Sequence, residues 1–308
     1  MLVAIIYIYT WYGTLNITAL QNIKSTYGLP LNIERYCYYC FAITFSVKLP
    51  IMPFHIWLTQ AHVEAPMGGS IILAGVLLKL GGYGFIVYGY WLFPNAFYES
   101  AYFFKWACIL SMVIGGLVTI QQLDIKRLIA YSSVAHMSMG MYPLFNSPEK
   151  FGYSACIIGF IAHGLVSPGL FLVCGMLYER HGTRNVLYYG GLSQTSPLLA
   201  SFAFILTLAS VGFPGTLNFI AEVCIYFNLV NSNNVLEIIL VGVAGFIGLI
   251  YMLLFYMRIF FGNYSKYLQF NRDINRIESI AFLLLIIPVI FIGLNSSIIS
   301  NLSIITLF

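Results

Sequence analysis

Long apolar intervals follow one another along most of the chain. Seven of them contain no Asp, Glu, Lys or Arg: 80–98, 106–123, 128–148, 151–178, 185–221, 238–257 and 279–308. Most reach the roughly 18 to 20 apolar residues that a helix needs to cross about 30 Å of hydrocarbon. Strands of a membrane β-barrel instead alternate polar and apolar residues in segments of about ten. The pattern therefore predicts membrane-spanning helices.

Helix caps and breakers, taken together with hydropathy, predict nine spanning helices. They cover 2–20, 34–60, 66–93, 102–121, 124–144, 150–178, 196–228, 236–261 and 278–297. Two of them contain a break near the middle. Pro50 and Pro53 interrupt the second, because proline inside a helix removes a backbone hydrogen bond and clashes with the preceding turn. The sequence V-G-F-P-G-T over 211–216 interrupts the seventh. The predicted fold class is an all-α polytopic membrane protein with two discontinuous helices.

Composition excludes the main soluble classes of protein. A soluble chain of 308 residues would carry roughly 77 charged side chains, whereas this one has 14 Lys and Arg and 10 Asp and Glu. Hydrophobic residues make up 60% of the chain, which argues against disorder. The net charge of +4 is too small for a basic surface that binds nucleic acid. Membrane lipids are expected partners, and nucleic acid is not.

The basic residues predict an orientation, because Lys and Arg accumulate in cytoplasmic or matrix connections. The connections after the even-numbered helices hold Lys126, Arg127, Arg180, Arg184, Arg258, Lys266, Arg272 and Arg276. Those on the other face hold Lys24, Arg35, Lys105 and Lys150. The even-numbered connections are therefore predicted to face the cytoplasm or matrix, and the C-terminus to emerge on the opposite side.

The cysteines do not predict a metal site. Cys37 and Cys40 form a single C-x-x-C, and His62 and Glu64 form an H-x-E. A zinc deaminase has the cysteine pair downstream of the H-x-E and behind a proline, so the order is wrong here. No haem attachment sequence or iron–sulfur cysteine run is present, so we expect no metal or cofactor on this chain. The six cysteines are interpreted as small apolar side chains that fill space, and the tyrosines as interfacial or lipid-facing.

Five ionisable residues fall near the middle of predicted spanning helices. Lys79, His136 and His163 lie close to the midpoints of their helices, while Lys48 and Glu222 lie beside the two breaks. A charge at the centre of a spanning helix costs about 2.5 to 3.5 kcal/mol on insertion scales, so each one needs an explanation. Broken helices expose free carbonyls and amides to a polar cavity, which makes them frequent ion sites. Together the five side chains would form a row parallel to the membrane plane, suited to proton transfer.

Simpler interpretations exist for most of the five. His136 or His163, taken alone, is more readily explained as a histidine hydrogen-bonded to a neighbouring carbonyl. Lys48 and Glu222 could satisfy the loosened backbone at the breaks, although a functional role is favoured. Lys79 lies too deep for its ammonium to reach the membrane surface along its own stem. It is therefore the strongest single indication of function.

Six motifs, in order along nearly the whole chain, resemble those of NADH dehydrogenase subunit 4. This family belongs to the antiporter-like membrane subunits of respiratory complex I. The motifs are K-L-P-I-M-P-F-H-I-W-L at 48–58, A-H-V-E-A-P at 61–66, L-L-K-L-G-G-Y-G at 77–84, D-I-K-R-L-I-A-Y-S-S at 124–133, I-A-H-G-L at 161–165 and G-T-L-N-F-I-A-E at 215–222. Their number and spacing make the resemblance specific.

The resemblance implies a role for each member of the row. Lys48 corresponds to the central proton-binding lysine of the first broken helix, and Lys79 to the lysine that links the two half-channels. His136 and His163 match polar positions of the central axis, and Glu222 matches the acidic residue of the exit half. Quinone reduction elsewhere in the complex would change protonation along this row. The flavin, the iron–sulfur clusters and the quinone would belong to other subunits.

The resemblance begins inside the sixth of the family's fourteen helices. The family's fifth helix carries a glutamate that pairs with the residue at Lys48, so we expect a separate chain to supply helices one to five. Other membrane-arm subunits of complex I are further expected partners. The expected architecture is one transmembrane domain, 1–308, in which 1–93 is the remainder of a first antiporter-like repeat. An inverted second repeat covers 102–261, and 262–308 forms the C-terminal connection and last helix.

The leading functional hypothesis is a proton-translocating subunit of complex I in the mitochondrial inner membrane, with its C-terminus on the intermembrane-space side. As an enzyme it would act only as a subunit of NADH:ubiquinone reductase. One alternative is a component of a cation/proton antiporter without a redox arm. Another is a structural spacer that has lost pumping. Co-purification with flavin and iron–sulfur subunits would distinguish the leading hypothesis from the antiporter. Proton transfer that is unaffected by Lys79→Ala would favour the structural spacer.

Overall fold

The fold is described from a computed structural model. It describes residues 1–26, 30–148, 150–231, 234–268 and 273–295. Its α-helices are Leu2–Tyr12 (α1), Ile17–Thr26 (α2), Leu31–Lys48 (α3), Ile56–Glu64 (α4), Met67–Ile72 (α5), Lys79–Gly84 (α6), Pro94–Ile120 (α7), Ile125–Asn146 (α8), Lys150–His181 (α9), Pro197–Ser210 (α10), Leu217–Val230 (α11), Val235–Phe260 (α12) and Arg276–Leu294 (α13). The described part of the chain contains no β-strand, in agreement with the predicted helical class.

The prediction of one continuous first helix over 2–20 is wrong. Gly13 ends α1 in the left-handed conformation, with φ of 70°, and its N–H donates to the carbonyl of Tyr9. Asn16 then accepts a hydrogen bond from the backbone N–H of Thr18, 3.1 Å away, at the start of α2. Glycine adopts positive φ without steric cost, and a short polar side chain readily caps a helix start. These two features together separate α1 from α2.

The second predicted helix is divided between α3 and α4, with residues 49–55 between them. Ser111 of α7 holds this segment, because its hydroxyl accepts from the backbone N–H of Met52 at 2.8 Å. The indole of Trp57 donates to the carbonyl of Val47 at 2.8 Å and so links the two sides. Side chains thereby take up backbone groups that the interrupted helix leaves unpaired.

The third predicted helix corresponds to α5 and α6, together with two π-helical segments. These segments are Leu73–Leu77 and Phe85–Tyr90, one before Lys79 and one after Gly84. A π-helical turn adds a residue to the turn and is frequent at functional sites. Lys79 therefore follows directly on a local widening of the helix.

Helix α7 begins at Pro94, eight residues before the predicted start at 102. Proline suits the first turn of a helix, where its missing N–H would be unpaired in any case. The buried carboxylate of Glu34 also accepts from the backbone N–H of Asn95 at 3.1 Å. Lys105, which the sequence analysis counted with a connection, lies well inside α7.

Helix α9 lies at the centre of the bundle and α13 at its edge. In the most apolar 18-residue stretch of each helix, 72% of the residues of α9 are buried, compared with 17% of those of α13. One apolar cluster joins α8 and α9 to α10, α12 and α13, and a second joins α8 to α3 and α7. Helices α8 and α9 are thus the elements against which both halves of the molecule pack.

Five helices in the described residues are long and apolar enough to cross a membrane. They are Met67–Tyr90, which comprises α5, α6 and both π-helical segments, and Pro94–Ile120, Gly152–His181, Val235–Phe260 and Arg276–Leu294. The seventh predicted helix is divided between α10 and α11 at 211–216. The count of nine crossings and the division into two repeats stay predictions. Arg272 and the chain from 296, including the end of the ninth predicted helix and the C-terminus, lie outside the described residues.

The Gly82→Ala substitution should destabilise the fold by about 1 to 3 kcal/mol, the usual range for overpacking. A Cβ at Gly82 would lie 2.2 Å from Cε2 of Phe160 on α9, so the ring or the backbone has to move. Thermal denaturation of the purified protein in detergent measures the effect. Gly68→Ala in α5 is the matched control, since a Cβ there has no neighbour within 4 Å. A Gly82→Ala variant as stable as this control would contradict the packing argument.

Candidate functional site

Lys79 and His163 form the closest pair of the predicted row. The Lys79 Nζ lies 2.7 Å from the His163 Nδ1 and also donates to the carbonyl of Ala74 in the preceding π-helical segment. An ammonium group has only donors, so Nδ1 of His163 acts as acceptor and the imidazole is neutral while Lys79 is charged. Protonation of His163 at Nδ1 therefore requires Lys79 to release a proton or to move away.

His163 is held in place by its own helix. The hydroxyl of Ser167, one turn further along α9, donates to the carbonyl of His163 at 2.8 Å and lies 3.4 Å from its Nδ1. Only 6% of His163 is exposed. The imidazole is thus packed among neighbours that fix its orientation towards Lys79.

His136 extends the row from α9 to α8. Its ring centroid lies 6.1 Å from that of His163, with the planes tilted by 44°. On the other side, Nε2 of His136 lies 3.2 Å from the hydroxyl of Tyr251 on α12. Lys79, His163 and His136 therefore follow one another across three packed elements. A hydrogen bond joins the first two, a ring contact joins the two histidines, and the hydroxyl of Tyr251 extends the series beyond His136.

Glu222 lies at the break between α10 and α11. A Cβ at Gly212 would come within 2.5 Å of Oε2 of Glu222, and Gly212 has a φ of +76°. Only glycine combines this backbone conformation with so close an approach of the carboxylate. The glycine of the broken segment thereby gives the glutamate its position.

Two small cavities lie between His136 and Glu222, each with a volume of about 20 Å³. The first is also lined by Tyr251 and Ser210. The second is also lined by His163 and Asn218. Each exceeds the roughly 10 to 15 Å³ that a single water molecule requires. The four groups Lys79, His163, His136 and Glu222 are thus brought into one polar series with space for water at its glutamate end.

Lys48 is not part of this series in the described structure. It is the last residue of α3 and its side chain is exposed. Among the described residues, no hydrogen bond or ion pair involves its ammonium group. Lys48 therefore presents a positive charge on the outer surface of the chain, directly beside the break at 49–55.

Several residues of the site and its surroundings were not found from the sequence. Tyr251 is 2% exposed and hydrogen-bonded, so the interfacial interpretation of the tyrosines does not apply to it. Asn218 lines a cavity with its Oδ1 buried and without a hydrogen-bond partner in the described structure. Glu237 of α12 is fully buried, 2.6 Å from the Nζ of Lys105. A polar residue inside an apolar span is the signal that would have identified Tyr251 and Asn218, whereas Glu237 directly precedes the apolar interval 238–257.

The described residues contain no cluster of three or more His, Cys, Asp or Glu side chains placed to hold a metal ion. Cys37 is buried and Cys40 exposed, and both are free thiols. The side chains of the described site, an ammonium, two imidazoles, a carboxylate and a phenol, can carry acid–base chemistry.

Comparison with known proteins defines the class. Residues 1–248 match the family described as NADH:quinone oxidoreductase/Mrp antiporter, TM. This chain belongs to that family of transmembrane proteins. Its membership agrees with the broken helices and the buried lysine and histidines described above.

Relatives within the family place the chain beside subunit 4 of complex I, as the motifs indicated. It is 41% identical over 97% of its length to NADH-ubiquinone oxidoreductase chain 4 of Metridium senile. It is 38% identical, again over 97%, to NADH-quinone oxidoreductase subunit M of Rickettsia bellii. In both cases the match covers 60% of the relative, so the chain spans about three-fifths of their length.

Solved structures share the fold. A chain of respiratory complex I from Thermus thermophilus with bound NADH superposes with a TM-score of 0.87 and 27% identity, over 97% of this chain and 62% of that one. A chain of the Mrp complex from Dietzia sp. DQ12-45-1b gives the same TM-score at 19% identity, over 98% and 63%. The second likeness concerns the fold alone. The predicted class of a helical, antiporter-like membrane protein is confirmed.

Proposed function

We propose that this chain is a proton-translocating subunit of the membrane arm of respiratory complex I. The observation that carries the proposal is the contact between Lys79 and His163, continued by His136 towards Glu222. Lysine, histidine and glutamate at membrane depth are costly, and they are retained where protons or ions move. When one member of a close pair gains a proton, the proton affinity of the other falls, and this coupling is what stepwise proton transfer requires.

The energy for translocation would come from quinone reduction in another part of the complex. Under this proposal the flavin, the iron–sulfur clusters and the quinone belong to other subunits, and this chain contributes only proton transfer. The enzyme is NADH:ubiquinone reductase, of which this chain is one subunit. Electrostatic interaction along the row would transmit the redox event, since a charge that appears at one end changes the proton affinity of the next group.

The exposed position of Lys48 indicates that a second polypeptide chain covers this surface. An ammonium group in the membrane requires a neutralising neighbour, and on this chain Lys48 faces outwards. We propose that a separate chain with about five helices and a mid-membrane glutamate covers this surface and completes the first repeat, the remainder of which is 1–93. The second repeat would be 102–261, followed by the connection and last helix of 262–308.

The proposed location is the mitochondrial inner membrane, with several crossings and with the C-terminus on the intermembrane-space side. The mitochondrial subunit 4 proteins among the relatives support this location, and the bacterial subunit M matches at a slightly lower identity, 38% compared with 41%. Other membrane-arm subunits and membrane lipids would surround the chain. Mild-detergent purification followed by mass spectrometry tests the assignment, and the partners expected are the redox subunits together with the small glutamate-containing chain.

Replacing Lys79 with alanine tests the function directly. The variant should lower the protons moved per NADH oxidised in vesicles that contain the whole complex, because His163 loses the group with which it exchanges protons. Lys266→Ala is the matched control, since this lysine is exposed in the connection after α12. Proton movement equal to that of the control, in a fully assembled complex, would favour the structural-spacer alternative.

The family also contains Mrp antiporters, so a cation/proton antiporter component is the second candidate. It predicts purification without flavin or iron–sulfur subunits and proton movement driven by a cation gradient without NADH. Redox subunits that co-purify stoichiometrically with the chain would exclude it.

A further inference from the structure

The weakest connection in the row lies between His136 and Glu222. In the described structure these two residues line the same two cavities but share no hydrogen bond. A proton that reaches His136 therefore needs an intermediate group to arrive at the carboxylate. The walls of the two cavities contain three polar groups that the function proposed above does not use. The hydroxyl of Ser210 donates to the carbonyl of Thr207 at 2.7 Å, which leaves Tyr251 and Asn218.

Tyr251 connects the two residues along one side. Its hydroxyl lies 3.2 Å from the His136 Nε2, and both Tyr251 and Glu222 line the first cavity. A phenol hydroxyl can donate one hydrogen bond and accept another at the same time. A water in this cavity would link the phenol to the carboxylate and so complete a hydrogen-bonded path from the imidazole to Glu222.

Asn218 occupies the wall of the second cavity, on the first turn of α11. It is 7% exposed, and its Oδ1 is buried without a hydrogen-bond partner in the described residues. Buried amide oxygens are nearly always paired, and an unpaired one indicates a water site. His136, His163 and Glu222 line the same cavity, so a water bound to Asn218 would face both imidazoles and the carboxylate.

We infer that Tyr251 and Asn218 complete the proton path between the histidines and Glu222 by two parallel routes. This inference rests on the proposed function. On the first route, Nε2–H of the His136 imidazolium gives its proton to the oxygen of Tyr251 while the phenol gives its own proton to the water. The water passes a proton to Glu222. The imidazole ends neutral, the carboxylate ends as a carboxylic acid, and the phenol and the water are unchanged.

The second route uses the water held by Asn218. The imidazolium of His136 or His163 gives a proton to this water, which releases one to Glu222. The amide takes no proton and serves as the acceptor that holds the water in place. Asn218 is therefore a positioning residue, whereas Tyr251 handles the transferred proton itself. Since both routes end at the same carboxylate, Glu222 is the point at which they converge.

The test compares Tyr251→Phe, Asn218→Leu and the double variant in vesicles that contain the whole complex. Phenylalanine keeps the ring and leucine keeps the approximate shape, so packing changes little. We expect each single variant to lose about half of the proton movement that Glu222→Gln abolishes, because parallel routes add. The double variant should fall to the level of Glu222→Gln.

Tyr256→Phe is the matched control, because the hydroxyl of Tyr256 donates to the carbonyl of Ala200, 3.3 Å away, outside the row. It should leave the protons moved per NADH unchanged. A double variant that pumps normally while Glu222→Gln does not would overturn the inference and leave the proposed function standing. If the variants Glu222→Gln, His136→Ala and Lys79→Ala all move the normal number of protons per NADH, both the inference and the proposed function are refuted.

A second pair of variants keeps the inference testable if the double variant does not assemble. Ala244→Val and Ala221→Val enlarge side chains that line the first and the second cavity, respectively. Both leave Tyr251 and Asn218 in place and fill the space for the two waters. Together they should lower proton movement to the level of Glu222→Gln, and unchanged proton movement would overturn the inference.

Discussion

Replacing Glu237 with alanine should destabilise the protein by about 3 to 5 kcal/mol, the range measured when one partner of a buried ion pair is removed. Glu237 is fully buried and accepts from Lys105 of α7, 2.6 Å away, and from Tyr142 of α8, 2.7 Å away. Asn234 donates to the same carboxylate at 2.8 Å. Removal of the carboxylate leaves the Lys105 ammonium almost buried, with 14% exposure, and without its counter-charge.

Thermal denaturation of the assembled complex, as a double-mutant cycle with Lys105→Met, measures this effect. The double variant should recover much of the loss, because no uncompensated charge remains in the bundle. The exposed pair Arg35–Glu99, with its carboxylate 2.7 Å from Nε, gives a matched control. Glu99→Ala should change the denaturation midpoint far less, since solvent screens this pair. Equal effects at Glu237 and Glu99 would refute the argument.

Replacing Gly212 with alanine should both destabilise the break between α10 and α11 and impair proton movement. The positive φ of Gly212 costs an L-residue roughly 1 to 2 kcal/mol. In addition, the new Cβ would lie 2.5 Å from Oε2 of Glu222, so the carboxylate must leave its present position. Displacement of about 1 Å is enough to impair a proton transfer that depends on hydrogen-bond distances.

Gly182→Ala separates the two contributions to this effect. Gly182 has almost the same φ, +69°, but a Cβ there meets nothing within 4 Å. Both variants should show a similar loss of thermal stability from the backbone, whereas only Gly212→Ala should lower the protons moved per NADH. If Gly182→Ala impairs proton movement equally, the position of Glu222 is not the cause.

The family and the main members of the row were readable from the sequence because the membrane makes polar residues rare. Lys79, His136 and His163 stand out in apolar intervals, where an insertion cost applies to every ionisable side chain. The interruptions of helix at 49–55 and 211–216 were equally visible, because proline and glycine act on the local backbone. These features depend only on residues that are close in sequence, so they can be predicted without the tertiary structure.

Other features escaped prediction because they depend on contacts between distant segments. The start of α7 at Pro94 is supported by Glu34, sixty residues earlier in the chain. The pairing of Glu237 with Lys105 likewise bridges two helices far apart in sequence.

Hydropathy, breakers and motifs along the chain were enough to predict a helical membrane protein that resembles subunit 4 of complex I, with titratable groups at membrane depth. They did not predict which of these groups lie in contact. The tertiary structure pairs Lys79 with His163, continues through His136 to Tyr251, and leaves Lys48 on the outer surface. The physical reason is that burial cost is a property of each residue, whereas a proton path depends on distances of a few ångströms between helices that only packing sets.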